Sequence, residues 1–86
     1  METMNAIQEK YKERQERLQR QVSVKEGHIV VNVEFEYNID LGRCQTHEQI
    51  LAWAYHLCEK TWMTTEVMRR FVLVACQENG LEIPRS

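Results

Sequence analysis

The segment His28-Ile29-Val30-Val31-Asn32-Val33-Glu34-Phe35-Glu36-Tyr37-Asn38 decides how this chain folds. Ile29, Val31, Val33, Phe35 and Tyr37 alternate with Val30, Asn32, Glu34, Glu36 and Asn38. Successive side chains of an extended chain point to opposite faces, so a two-residue repeat rich in β-branched and aromatic residues belongs to a half-buried strand. The spacing predicts one strand over 28–38, apolar on one face and increasingly acidic on the other. Its backbone groups need partners. Val22-Ser23-Val24, followed by Glu26-Gly27, can fold back as a short hairpin on residues 28–32, although Glu-Gly is a weaker turn signal than Asn-Gly. That hairpin leaves residues 33–38 unpaired. A second copy of the same strand is the economical partner, which makes Val33, Phe35 and Tyr37 the expected dimer contact.

Upstream, residues 3–21 are dominated by Glu, Gln, Lys and Arg, all good helix formers. Met4, Ile7, Tyr11 and Leu18 fall on one narrow stripe, interrupted by Arg14 where a further apolar residue is wanted. Residues 1–21 are read as a helical arm, which docks on the rest of the chain, pairs with a second copy, or stays a partly frayed, solvated arm.

Downstream, Asp40-Leu41-Gly42-Arg43 reads as the loop that leaves the strand. Thr46 then opens a helix, with Gln49 placed to complete a capping box and Glu48 suited to the helix dipole. Ile50, Ala54, Leu57 and Cys58 make its inward face, widened by Leu51, Trp53 and Tyr55, and it should end near Lys60. Thr64 caps a second helix whose Val67, Met68, Phe71, Val72, Ala75 and Cys76 form a broad apolar face. Asn79-Gly80 ends it, because Gly80 can take the left-handed conformation, and Pro84 prevents continuation. The expected fold class is α+β in the order α-β-α-α: an arm (1–21), then a single β-α-α domain (22–86), dimeric through its strand.

Bulk properties set limits on function. A chain of 86 residues holds one domain, and its small core is marginal unless oligomerisation adds to it. The net charge is −2. Residues 1–21 carry Lys10, Lys12, Arg14, Arg17 and Arg20 against Glu2, Glu9, Glu13 and Glu16, so the remainder is mildly acidic, whereas a dedicated DNA-binding domain is usually basic. Nucleic acid is therefore disfavoured as a partner. No apolar run approaches the ~18 residues that would span a bilayer, and Met1-Glu2-Thr3-Met4 lacks a signal-peptide pattern. A cytoplasmic location is expected, in which the three cysteines stay as thiols.

Cys44, His47, His56 and Cys58 are ligand types that zinc prefers. However, His56 and Cys58 stand two apart on a helix and point roughly 200° from each other, so no metal is expected. Cys44 before a helix, with His47 nearby, offers a thiol whose pKa a helix dipole can lower, but no orienting third group accompanies it. Glu34 and Glu36 share a strand face and could do acid–base work, yet charges on an exposed strand more commonly deter aggregation. Isolated glycines provide no phosphate loop. No catalytic residues, cofactor or metal are expected.

In order and length of elements, residues 28–80 resemble the ribbon–helix–helix family of dimeric DNA-binding proteins. The resemblance implies strands of two chains pairing antiparallel, with Asn32, Glu34 and Glu36, beside Val30, facing the major groove. It also implies phosphate contacts from Lys10, Lys12, Arg14, Arg17 and Arg20. The family's basic or amide-rich ribbon is missing, and two glutamates facing phosphates are unfavourable. The stretch His56-Leu57-Cys58-Glu59-Lys60-Thr61-Trp62-Met63-Thr64 is similar to a segment of small phage and mobile-element proteins, which implies an accessory role. Together these readings lead to a non-enzymatic, homodimeric interaction module: an adaptor or inhibitor that binds another protein, for instance a host regulatory or defence protein. A ribbon–helix–helix regulator is the alternative. Glu34, Glu36, Tyr55, His56 and Trp62 are the expected partner-binding residues, since Trp and Tyr dominate interface hot spots.

Overall fold

The computed structural model describes the backbone of residues 2–84 and the side chains of residues 9–84. Helix α1 (Glu2–Gln21) runs directly into β1 (Val22–Lys25), which is followed by β2 (His28–Asn32) and β3 (Glu36–Asp40). The three strands form one antiparallel sheet in the order β1-β2-β3. A 3-10 turn (Leu41–Arg43) leads to α2 (His47–Leu57) and then α3 (Thr65–Glu78). The fold is α+β in the order α-β-α-α, as the patterning indicates.

The first hairpin forms in the expected place, with Val22 opposite Val31 and Lys25 opposite His28. Glu26 and Gly27 connect the strands with φ of 51° and 76°. Two positive φ values in a two-residue loop make a type I′ turn, whose twist suits the flanking strands. The second hairpin departs from expectation. The segment 28–38 is not one strand: it bends at Val33–Phe35 and returns, so that Val31 lies opposite Tyr37 and Ile29 opposite Ile39. The backbone partner that a second copy was to supply is therefore provided within the chain. The ribbon of Val33, Phe35 and Tyr37 does not form, and the symmetric strand contact loses its basis. The single unpaired strand required by the ribbon–helix–helix resemblance is likewise absent among the described residues.

Side-chain alternation sends Val22, Ile29, Val31 and Ile39 to one face of the sheet, where they meet the helices. Against them pack Ile50 and Leu57 of α2, Trp62 of the connection, and Val67, Phe71, Val74, Ala75 and Cys76 of α3. Helix α3 is central, touching α1, α2, β1 and β2. Leu18 fixes the C-terminal half of α1 to this core, and Arg14, which interrupts the apolar stripe, reaches Glu66 of α3 at 3.5 Å. Both partners of that pair are exposed, so it contributes little. Met4 and Ile7 of the stripe lie outside the described side chains. None of the described helices is long and apolar enough to cross a membrane.

The helix termini follow the sequence signals closely. Thr46 Oγ1 accepts from the Gln49 amide at 3.2 Å, and Gln49 Oε1 accepts from the Gln45 amide at 2.8 Å, one residue before the usual capping-box donor. Helix α2 ends at Leu57 rather than Lys60, because the amides of Glu59 and Lys60 turn to the carbonyls three residues back, His56 and Leu57. Thr64 Oγ1 accepts from the Val67 amide at 3.1 Å. At the far end Gly80 adopts φ 66°, while Leu81 N–H reaches Cys76 O and Gly80 N–H reaches Gln77 O. This pair of bonds is the Schellman arrangement, which satisfies carbonyls that the helix leaves free.

Candidate functional site

Two surfaces carry the features that distinguish this molecule from a fully self-satisfied domain. The first lies between α2 and α3. Thr46 sets the start of α2, and its phase then places Ile50 and Leu57 inward and Leu51 and Tyr55, one turn apart, outward. Leu51 is 70% exposed and Tyr55 76%. The C-terminal segment after Gly80 folds along the same side, held where His47 Nε2 meets Glu82 O at 2.7 Å. His47, Ile50, Leu51, Ala54, Val72, Cys76 and the Glu82–Pro84 segment enclose a groove of about 560 Å³ with mainly apolar walls. Ile83 is exposed at its rim. An 86-residue chain that leaves a leucine and an isoleucine in water at one groove, and a tyrosine exposed one helical turn from that leucine, has surface suited to association.

The second surface is the β3 side of the sheet. Glu34 and Glu36 are exposed as expected, but Glu34 sits in the bend and Glu36 in β3, so they do not share a strand face. Glu36, Asn38 and Asp40 are the exposed positions of β3, and Tyr37 and Ile39 are turned toward the core. Beneath the bend, the ring centroid of Trp62 lies 5.9 Å from that of Phe35 and 5.9 Å from that of Tyr37. Lys60 Nζ stands 5.4 Å from the centre of the Tyr37 ring. Trp62 is only 7% exposed, which corrects the expectation of a partner-facing tryptophan: its ring supports the hairpin tip. Phe35, 56% exposed on top of it, is the aromatic that solvent meets.

No protein-family model, curated protein or solved structure matches the chain. The site therefore rests on its own chemistry.

His56 is exposed, with its ring 5.9 Å from Trp53, and together with Arg43, Gln49 and Ala52 these residues line a shallow hollow on the other flank of α2. Lys10, Lys12, Arg14, Arg17 and Arg20 are all exposed on α1. Among the described residues no group of three His, Cys, Asp or Glu side chains is placed to hold a metal ion. Ile83 had no sequence signal as a surface contact. Leu51, Tyr55 and Cys58, expected on or beside the inward face of α2, are exposed instead, and helical phase gives the reason: each stands one position from Ile50, Ala54 or Leu57 and is rotated ~100° away from the core.

The thiols also depart from the sequence reading. Cys44, considered as a thiol that a helix start would acidify, is fully buried, and desolvation followed by the nearby Asp40 carboxylate pushes its pKa up. Burial likewise raises the pKa of Cys76, while Cys58 is exposed at the end of α2. Thiol titration of the native protein is expected to label Cys58 quickly and the other two only on unfolding. Three equally fast thiols would contradict the packing. The raised values also fix a sign. The unfolded thiols ionise above about pH 8.5, whereas the folded ones resist. The contribution of burial to stability is therefore fully present below that pH and declines as alkali rises through the folded values.

Proposed function

We propose that this chain is a small, non-enzymatic protein-binding module, an adaptor or inhibitor that docks another protein against α2 and α3. The observation that carries the reading is the groove between those helices, with Leu51 exposed on one wall and Ile83 on the other, and with Tyr55 exposed on α2 beyond Leu51. Apolar side chains of a partner would gain burial there, each fully covered aliphatic residue contributing about 1.5–3 kcal/mol before the losses of association. Tyrosine is a common hot-spot residue, and Tyr55 stands one helical turn from Leu51. Free thiols suit a reducing compartment, and we place the module in the cytoplasm on that ground. Partner chemistry that is mainly apolar also fits an accessory protein acting on a host regulator better than it fits contact with phosphates.

The test is comparative recovery from the native host, with protein and nucleic acid measured in the same eluate. Leu51→Asp is expected to leave stability within about 0.5 kcal/mol, because a largely exposed leucine contributes little packing. It should lower recovery of the bound protein at least tenfold. Equal recovery by Leu51→Asp and the unmutated chain would remove the groove from the interface. Recovery of nucleic acid in place of protein would favour the DNA-binding alternative.

A further inference from the structure

The outer edge of β3 presents backbone groups that no described strand pairs. Register and one hydrogen bond fix which backbone groups it presents. The Leu41 amide donates to Gly27 O at 3.0 Å, continuing the β2–β3 ladder by one more pair. Bonded and non-bonded pairs alternate along an antiparallel ladder. Ile29–Ile39 and Val31–Tyr37 are therefore bonded pairs, and the N–H and C=O groups of Glu36 and Asn38 point away from β2. Among the described residues no strand lies beyond β3, and no backbone bond from another element reaches those groups.

The side chains along this edge say what kind of strand it accepts. Residues 34–40 contain Glu34, Glu36 and Asp40 and no basic residue. Asp40 spends Oδ1 on the Gly42 amide at 2.8 Å, which leaves its other oxygen free. On the inner side of the edge the neighbours are Phe35 and Tyr37, with the Lys60 ammonium already at the Tyr37 ring. A strand added here, ~4.8 Å away, would set alternate side chains beside the carboxylates and the rest beside the aromatic rings. Cations suit the first set. Lys60 disfavours them in the second, where apolar groups rest on Phe35 and Tyr37. A second copy of β3 is a poor occupant. Two-fold pairing centred on Asn38 would put Glu36 of each chain opposite Asp40 of the other, and like charges directly opposed destabilise a sheet.

We infer that β3 takes up an extended segment of another protein in which Lys or Arg alternates with apolar residues. The test uses the full chain and a fluorescein-labelled peptide of five Lys-Val repeats, followed by fluorescence anisotropy at low salt. The alternating peptide should bind at least tenfold tighter than a peptide with the same residues in two blocks, or than five Glu-Val repeats, and added salt should weaken it. N-methylation separates strand addition from simple charge attraction. In antiparallel addition the lysine amides face β3 and their methylation abolishes binding, whereas methylated valine amides are tolerated. Parallel addition reverses the two. Binding that survives both methylations, or is lost to both, overturns the inference.

Asn38→Pro removes an outward N–H and leaves the bonds to β2 in place, so it should lower affinity at least tenfold. Because proline can also disturb the strand, Glu34→Lys/Glu36→Lys provides a second reading. Both positions are exposed, and the pair should transfer preference to the Glu-Val peptide. Failure of the unmutated chain to bind the alternating peptide, or a dimer that Asn38→Pro dissociates, would rule the edge out as a site for such a segment. The groove between α2 and α3 is read by a different substitution and a different partner, so either site can fail without the other.

Discussion

Phe71→Ala is expected to destabilise the fold by about 3–5 kcal/mol, the range for losing a buried aromatic ring together with the cavity it leaves. Phe71 is the largest of the fully buried side chains and lies on α3, the helix that touches α1, α2 and the first two strands. No single element can move in to fill the space without leaving another. Domains of this size sit toward the low end of the ~5–15 kcal/mol by which proteins are stable, so the variant should lose most of its margin. Urea denaturation followed by circular dichroism measures the loss. Phe71→Leu provides the control: it keeps most of the volume and should cost no more than about 1.5 kcal/mol. Equal, small effects from both variants would mean that the interior repacks freely and that α3 does not organise it.

The fold class was legible because helix and strand periods differ, and the caps at Thr46 and Thr64 and the stop at Gly80 are chemical signals local to a few residues. The second hairpin was not legible, for a reason of parity. In an antiparallel pair the two residue numbers have a constant sum, and here Val31 meets Tyr37 across a three-residue bend. An odd-length bend keeps odd positions of both strands on one face. The alternation from Ile29 to Tyr37 therefore reads without interruption whether the chain runs straight or doubles back. The usual punctuation is missing too: Val33-Glu34-Phe35 has no glycine or proline, and none of the three takes a positive φ. Two signals pointed the other way. An eleven-residue strand exceeds the common range, and the apolar alternation continues one step past Asn38 to the fully buried Ile39.

The candidate sites were legible in part. Glu34 and Glu36 were legible as exposed carboxylates from composition, and Tyr55 and His56, expected as partner contacts, are both exposed on α2. The groove was not legible, because one wall consists of Glu82–Pro84, whose placement depends on a contact with His47, 35 positions earlier in the chain. The open edge of β3 exists only once the hairpin does. The edge that the sequence presented as awaiting a twin, residues 33–38, thus folds back on β2, and the open edge becomes the outer side of Glu36–Asp40 with its exposed carboxylates.

Trp62→Ala distinguishes a supporting role from a partner-facing one and is expected to cost about 3–5 kcal/mol. The residue lies in the connection between α2 and α3, yet its ring packs under both Phe35 and Tyr37, so it ties the helical layer to the hairpin tip. Removing it takes away a buried surface and two aromatic contacts at once, each worth about 0.5–1.5 kcal/mol beyond area. Trp62→Phe keeps a ring in the site and should cost roughly half as much or less. Phe35→Ala, at a position already open to solvent, should cost about 1 kcal/mol, mainly its share of the contact with Trp62. The order Trp62→Ala, then Trp62→Phe, then Phe35→Ala is what a buttress requires. Amide exchange adds a local readout: Trp62→Ala should speed exchange in β3 more than in β1, because Phe35 and Tyr37 rest on that ring. A Trp62→Ala variant as stable as the unmutated chain would show that the tryptophan does not support the hairpin, and would restore it to the surface contacts.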